Sequence, residues 1–140
     1  MAFEESAGIA VSNKLVEQKA MDAAMEHEAT EGRNPVIVSK KGVGYDIESD
    51  GRMIEVKGVS ENWKTYTWQS LYPSSAECLE RNPENFYLYI VKFNPQGKSA
   101  LYIIPGRDLQ NKFKLKVTAY ALTPISKRKL REFLRSDEEV

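Results

Sequence analysis

The dipeptide Asp50-Gly51 constrains this chain more than any other feature. It is among the strongest short signals for a two-residue hairpin turn, and polar and apolar residues alternate on both sides of it. Tyr45-Asp46-Ile47-Glu48-Ser49 precedes it and Arg52-Met53-Ile54-Glu55-Val56-Lys57 follows. With Asp50 and Gly51 as the loop, Ser49 faces Arg52, Ile47 faces Ile54, and Asp46 faces Glu55. Residues directly opposed across an antiparallel pair share a face, with Cβ atoms roughly 4.5–5.5 Å apart. Period two adds Lys57 to the face of Asp46 and Glu55. Tyr45, Ile47, Ile54 and Val56 are then expected on the opposite, core-packed face. Gly44 falls opposite Lys57 and leaves it uncrowded.

Two opposed carboxylates repel unless something positive lies between them. A divalent cation suits, because Mg²⁺ prefers hard oxygen ligands: one or two carboxylates, water and substrate phosphate. Asp46 and Glu55 are therefore candidate ligands for Mg²⁺ or Mn²⁺, with the backbone carbonyl of Val56 as a further oxygen donor. A metal held there would polarise a phosphoryl oxygen and lower the pKa of a bound water. Lys57 would offset the charge of the transition state or orient the attacking water. Glu-X-Lys is common on strands, and an exposed charged face is ordinarily just solvated. The opposition of two like charges separates this hairpin from that case, since structural cross-strand pairs favour unlike charges.

The rest of the chain frames the hairpin. Residues 12–31 carry Leu15, Val16, Ala20, Ala23 and Ala24 at helical spacing, without Pro or Gly, which predicts a helix with Ser12 as N-cap and Gly32 as its stop. The helix start is also compatible with a position near Ser6. Val36-Ile37-Val38-Ser39 after Pro35 reads as a strand, and Lys40-Lys41-Gly42 as a loop. Further strands are expected over 64–71, 86–93 and 100–104, with a weaker edge strand over 112–120. A short helix is introduced by Pro73, and Asn94-Pro95-Gln96-Gly97 marks a second hairpin. Thr123-Pro124 opens a last helix with Leu130, Phe133 and Leu134 inward and a basic outer face. The sum is a single mixed α/β domain over 1–140, with its core at about 12–120 and the closing helix at 124–136.

Charge and composition remove several alternatives. Twenty Lys and Arg balance twenty Asp and Glu, so no global field draws the chain to a polyanion. One cysteine, Cys78, excludes an internal disulfide or a cysteine-built zinc cluster, and lacks a partner for nucleophilic work. The lone His27 reads as a helix surface residue. There is no signal-peptide pattern and no apolar run long enough to span a bilayer, which leads us to expect an intracellular, cytoplasmic protein with no membrane partner. No Gly-rich phosphate loop is present.

Gly44-Tyr45-Asp46-Ile47-Glu48-Ser49, a short turn and Arg52-Met53-Ile54-Glu55-Val56-Lys57-Gly58 together resemble the PD-(D/E)XK nuclease superfamily. Within it, they resemble the NO VEIN C-terminal-type nuclease-like family. There a helix bearing glutamates precedes a Gly-Tyr-Asp-Ile strand and an Ile-Glu-Val-Lys-Gly strand, and Leu88-Tyr89-Ile90-Val91 matches the strand that follows. The resemblance covers about residues 15–104; the segment 64–80 departs from it, and Tyr45-Asp46 stands where the superfamily pattern has Pro-Asp.

The resemblance implies a restriction-endonuclease-like mixed β-sheet flanked by helices and a divalent-metal-dependent nuclease, acting on DNA rather than RNA. In this reading Asp46 and Glu55 hold the metal and Lys57 is the catalytic lysine. Glu17 from the first helix joins the site, with Glu26 and Glu28 as competitors, and Gln69 supplies a polar group from a later strand. Lys40, Lys41, Arg52 and Lys64 would line the nucleic-acid approach, and Trp63, Tyr66 or Trp68 could stack on bases. For these, ordinary surface charge and sheet packing are the competing roles. A neutral chain would lean on a homodimer or a partner protein to hold its substrate. The rival reading is the same fold kept as a binding module for nucleic acid or protein, with little or no turnover.

Overall fold

A computed structural model describes residues 2–60, 71–113, 126, 128 and 131–135. The elements run α1 (Ala2–Thr30), β1 (Pro35–Ile37), a 3₁₀ turn (Ser39–Lys41), β2 (Ile47–Ser49), β3 (Arg52–Ser60), α2 (Pro73–Arg81), β4 (Phe86–Phe93), β5 (Ser99–Pro105) and α3 (Gly106–Lys112). The sheet has five strands in sequential order. Every neighbouring pair is antiparallel except β3 and β4, which run parallel from Met53↔Phe86 to Ser60↔Phe93.

The hairpin forms in the expected register. Ser49 pairs with Arg52 and Ile47 with Ile54, and the loop residues Asp50 (φ 49°) and Gly51 (φ 87°) both sit at positive φ, as a type I′ turn requires. The ladder ends at Ile47, however. Asp46 donates its N–H to the Ile54 carbonyl at 2.9 Å, outside the ladder's register, so alternation is broken there. Tyr45 accordingly packs, as Met53 and Ile104 do, against the cluster that holds Cys78, Leu79 and Leu88, on the sheet face opposite the one expected. Gly44 also serves a different purpose. A Cβ there would lie 2.6 Å from the Ser74 carbonyl, so the glycine lets the first turn of α2 approach.

Both sheet faces are covered. On one side Met21, Ala24 and Met25 of α1 meet Ile47, Ile54, Val56, Tyr87, Tyr89 and Leu101. On the other, Cys78 and Leu79 of α2 and Leu109 of α3 meet Leu88, Ile90, Val59 and Phe86. Parallel neighbours at the sheet centre need this double cover. Cys78 is buried, and among the described residues no helix is long and apolar enough to cross a membrane.

Helix α1 starts well before Ser12, because only Gly8 interrupts its helix formers, at a cost of about 1 kcal/mol. It stops at Gly32 (φ 83°), where Gly32 N–H bonds Ala29 O and Arg33 N–H bonds Glu28 O in a Schellman motif. Helix α3 lies where the sequence pattern predicted no element before Lys112. Pro105 caps the helix, and Gly106 is required where a Cβ would meet the Pro83 carbonyl at 2.5 Å. Lys112 thus ends a helix rather than opening a strand; 114–120 lie outside the described residues. So do residues 64–70 of the strand expected over 64–71, whose last residue Leu71 is not in a strand, and Thr123, Pro124 and Leu130 of the closing helix. Phe133 and Leu134, expected inward, are exposed; the helical stretch has already given way to a turn after Arg131.

Candidate functional site

The end of the ladder at Ile47 leaves one edge of β3 without a strand partner just where Glu55 and Lys57 follow. The Asp46 carboxylate takes over that edge: its Oδ2 accepts the Val56 N–H at 2.8 Å. A residue's N–H and C=O lie on the same strand edge, so the Val56 carbonyl also points toward Asp46. Glu55 projects from the face covered by α2 and is only 4% exposed. Its Oε2 lies 3.7 Å from Lys57 Nζ and accepts a long 3.4 Å hydrogen bond from the Ser75 hydroxyl of α2.

Burial pushes the Glu55 carboxyl up to about 8, and the adjoining Asp46 carboxylate adds to that rise. Lys57 and Ser75 offset only part of it. Ionising Glu55 here would set two carboxylates, Asp46 and Glu55, against the one ammonium of Lys57. That imbalance, with hard oxygen donors from Asp46, Glu55 and the Val56 carbonyl, fits a divalent ion completed by water and substrate oxygens. Among the described residues no group of three or more His, Cys, Asp and Glu side chains is arranged to hold a metal.

These residues line a cleft of about 720 Å³. Asp46, Glu55, Val56, Lys57 and Gly58 form its floor, Lys14, Glu17, Gln18 and Met21 of α1 one wall, and Tyr72 at the start of α2 the other. The α1 wall is a single helix face, since the four residues fall at i, i+3, i+4 and i+7. Gly58 brings that wall close: a Cβ there would sit 2.8 Å from the Val16 carbonyl and 3.0 Å from the Ala20 Cβ. The cleft thus gathers Asp46, Glu55, Lys57, Glu17 and Val56. Lys14, Gln18, Tyr72 and Ser75 were not singled out from sequence. The first two were legible in principle, being the helical neighbours of Glu17.

Other candidates lie elsewhere. Lys40 and Lys41 are exposed on the 3₁₀ turn and do not line the cleft. Lys64, Gln69, Trp63, Tyr66 and Trp68 fall outside the described residues. Arg52 belongs to a buried network rather than to a surface. Its guanidinium sits 3.7 Å from the Tyr87 ring centroid, donates to the Tyr89 hydroxyl at 2.6 Å and places Nε 3.2 Å from Glu28. Glu28, fully buried, also receives a two-pronged Arg33 contact at 2.6 and 2.7 Å and the Tyr89 hydroxyl at 2.6 Å. Burial alone would raise its carboxyl, but the Arg33 and Tyr89 hydrogen bonds and the Arg52 charge outweigh it and hold the group at about 2. Glu28 is thus neither solvated nor in the cleft.

The fold and the cleft define an α/β domain with a carboxylate pair and a lysine at the broken edge of a central strand. The family model described as Protein NO VEIN, C-terminal, matches residues 16–104, and the chain belongs to that family. No curated protein and no solved structure matches the chain significantly.

Proposed function

We propose that the chain is a divalent-metal-dependent nuclease of the PD-(D/E)XK type that hydrolyses phosphodiester bonds, DNA in preference to RNA. The observation that carries this reading is the convergence of Asp46, buried Glu55 and Lys57 on one cleft. Membership of the NO VEIN C-terminal family supports it. Asp46, Glu55 and the Val56 carbonyl would hold Mg²⁺ or Mn²⁺, which when bound supplies Lewis acidity toward a phosphoryl oxygen and acidifies water. Lys57 stands where it can neutralise developing phosphoryl charge. The Val56 N–H fixes the Asp46 carboxylate, and the Ser75 hydroxyl steadies Glu55. Glu17, which lines the α1 wall of the cleft, would join this site.

The second reading is a nuclease-fold module that binds nucleic acid or a protein partner without cutting. Cleavage of labelled single- and double-stranded DNA and RNA with Mg²⁺ or Mn²⁺, wild type beside Lys57→Ala, separates the two. We expect wild type to cut and the variant to lose about 100-fold or more in rate. Equal cutting by both would mean that the site is misplaced. A folded wild type that neither cuts nor binds metal would overturn the nuclease reading and favour the module.

A further inference from the structure

We propose that Tyr72 is a stacking platform for an unpaired base, which makes single-stranded nucleic acid the substrate class of this cleft; the inference rests on the nuclease reading and deepens it. Tyr72 is 71% exposed, second only to Phe133 among the large apolar residues described, yet it forms a wall of the cleft. Its backbone is held firmly. Pro73 restricts the preceding residue to an extended conformation (φ −64°, ψ 152°), and the Tyr72 carbonyl accepts the N–H groups of both Ser75 and Ala76 at 2.9 and 3.0 Å. The ring is thus anchored at its base and uncovered at its tip, an arrangement that does nothing for the core.

What the ring faces gives it a use. Lys57 Nζ lies 5.5 Å from the ring centroid, and the same ammonium lies 3.7 Å from Glu55. A base laid on Tyr72 would carry its sugar-linked phosphate beside Lys57, at the carboxylate pair. Lys14 on the opposite wall, without an ion pair among the described residues, can meet the next phosphate. Bases inside a duplex are already stacked, so only an unpaired base offers its face to the ring.

The charge balance points the same way. Twenty cationic and twenty anionic residues give the chain no net field to draw in a polyanion, whereas aromatic stacking is tolerant of sequence and adds affinity without added charge.

The test uses the full chain, with Ca²⁺ replacing Mg²⁺, titrated into single-stranded DNA, single-stranded RNA and blunt duplex DNA that each contain one 2-aminopurine. We expect the single strands to bind more tightly than the duplex, with quenched fluorescence. Tyr72→Ala should weaken single-strand binding roughly 5- to 150-fold, the range one base–aromatic stack supplies, and Tyr72→Phe should restore it. Because the ring is exposed, both variants should melt as wild type does. Tighter duplex binding, or a Tyr72→Ala variant that binds and cuts like wild type, overturns the stacking role and leaves the nuclease reading intact. A wild type that binds none of the three and cuts none with Mg²⁺ overturns both.

Discussion

Replacing Glu28 by glutamine removes one negative charge from a fully buried side chain while keeping its shape. The wild-type carboxyl stands at about 2 against an ordinary 4.5, and one unit corresponds to 1.36 kcal/mol, so its ionised form contributes about 3 kcal/mol to folding. That is a large share of the roughly 5–15 kcal/mol that holds a domain together. The sign follows from the depressed pKa. The contribution is complete above the unfolded value near 4.5 and is lost as pH falls through about 2. In the variant, Arg33 and Arg52 keep their charges but lose the anion between them. Urea unfolding followed by far-ultraviolet circular dichroism at several pH values reads the difference. Wild type should exceed Glu28→Gln by about 3 kcal/mol at pH 7, and the gap should shrink steadily below pH 4.5. A gap that stays the same at pH 2.5 and pH 7 would refute the reasoning, since it would place the cost in packing rather than charge. The residue bears on the cleft because Glu28 and Glu17 share the inward face of α1, three turns or about 16 Å apart.

Two further outcomes test the site's framework. Gly58→Ala should cost about 1–3 kcal/mol in urea unfolding, because the new Cβ would meet the Val16 carbonyl at 2.8 Å and drive α1 off β3; an unchanged midpoint would show that the close approach is dispensable. For Glu55 the folded pKa is raised, so stability is full below the ordinary 4.5 and is lost as pH rises through about 8. Metal-free Glu55→Gln should therefore resist more urea than wild type at pH 8 and match it at pH 4, while added Mg²⁺ should stabilise wild type alone. A variant weaker than wild type at pH 8 would contradict the cost of ionising a buried carboxyl beside Asp46.

Local signals were legible because each acts within a few residues. Asp50-Gly51 forms its turn since both positions tolerate positive φ, and that alone sets Ile47 against Ile54. Gly32 ends α1 for the same reason, and the apolar run 86–93 forms β4 with the boundaries it suggests. Glu17, chosen from its helix face, stands at the cleft with Asp46, Glu55 and Lys57. Glu28 shares that face and was indistinguishable by periodicity, because what buries it comes from elsewhere: Arg52 on β3 and Tyr89, 61 residues away, on β4. Arg52 looked like a surface cation for the same reason.

The amino-acid sequence by itself determined the hairpin, its register and the family motifs, through φ preferences and alternation that need no distant partner. Only the tertiary structure decided that the ladder breaks at Asp46, that Tyr45 turns to the other sheet face, and that Gly44, Gly58 and Gly106 mark close approaches of α2, of α1, and of the Pro83 carbonyl. It likewise decided which glutamate is buried and which faces the cleft. The physical reason is that a charged side chain's position depends on whether cations from remote strands arrive to offset its desolvation, and no local pattern records that.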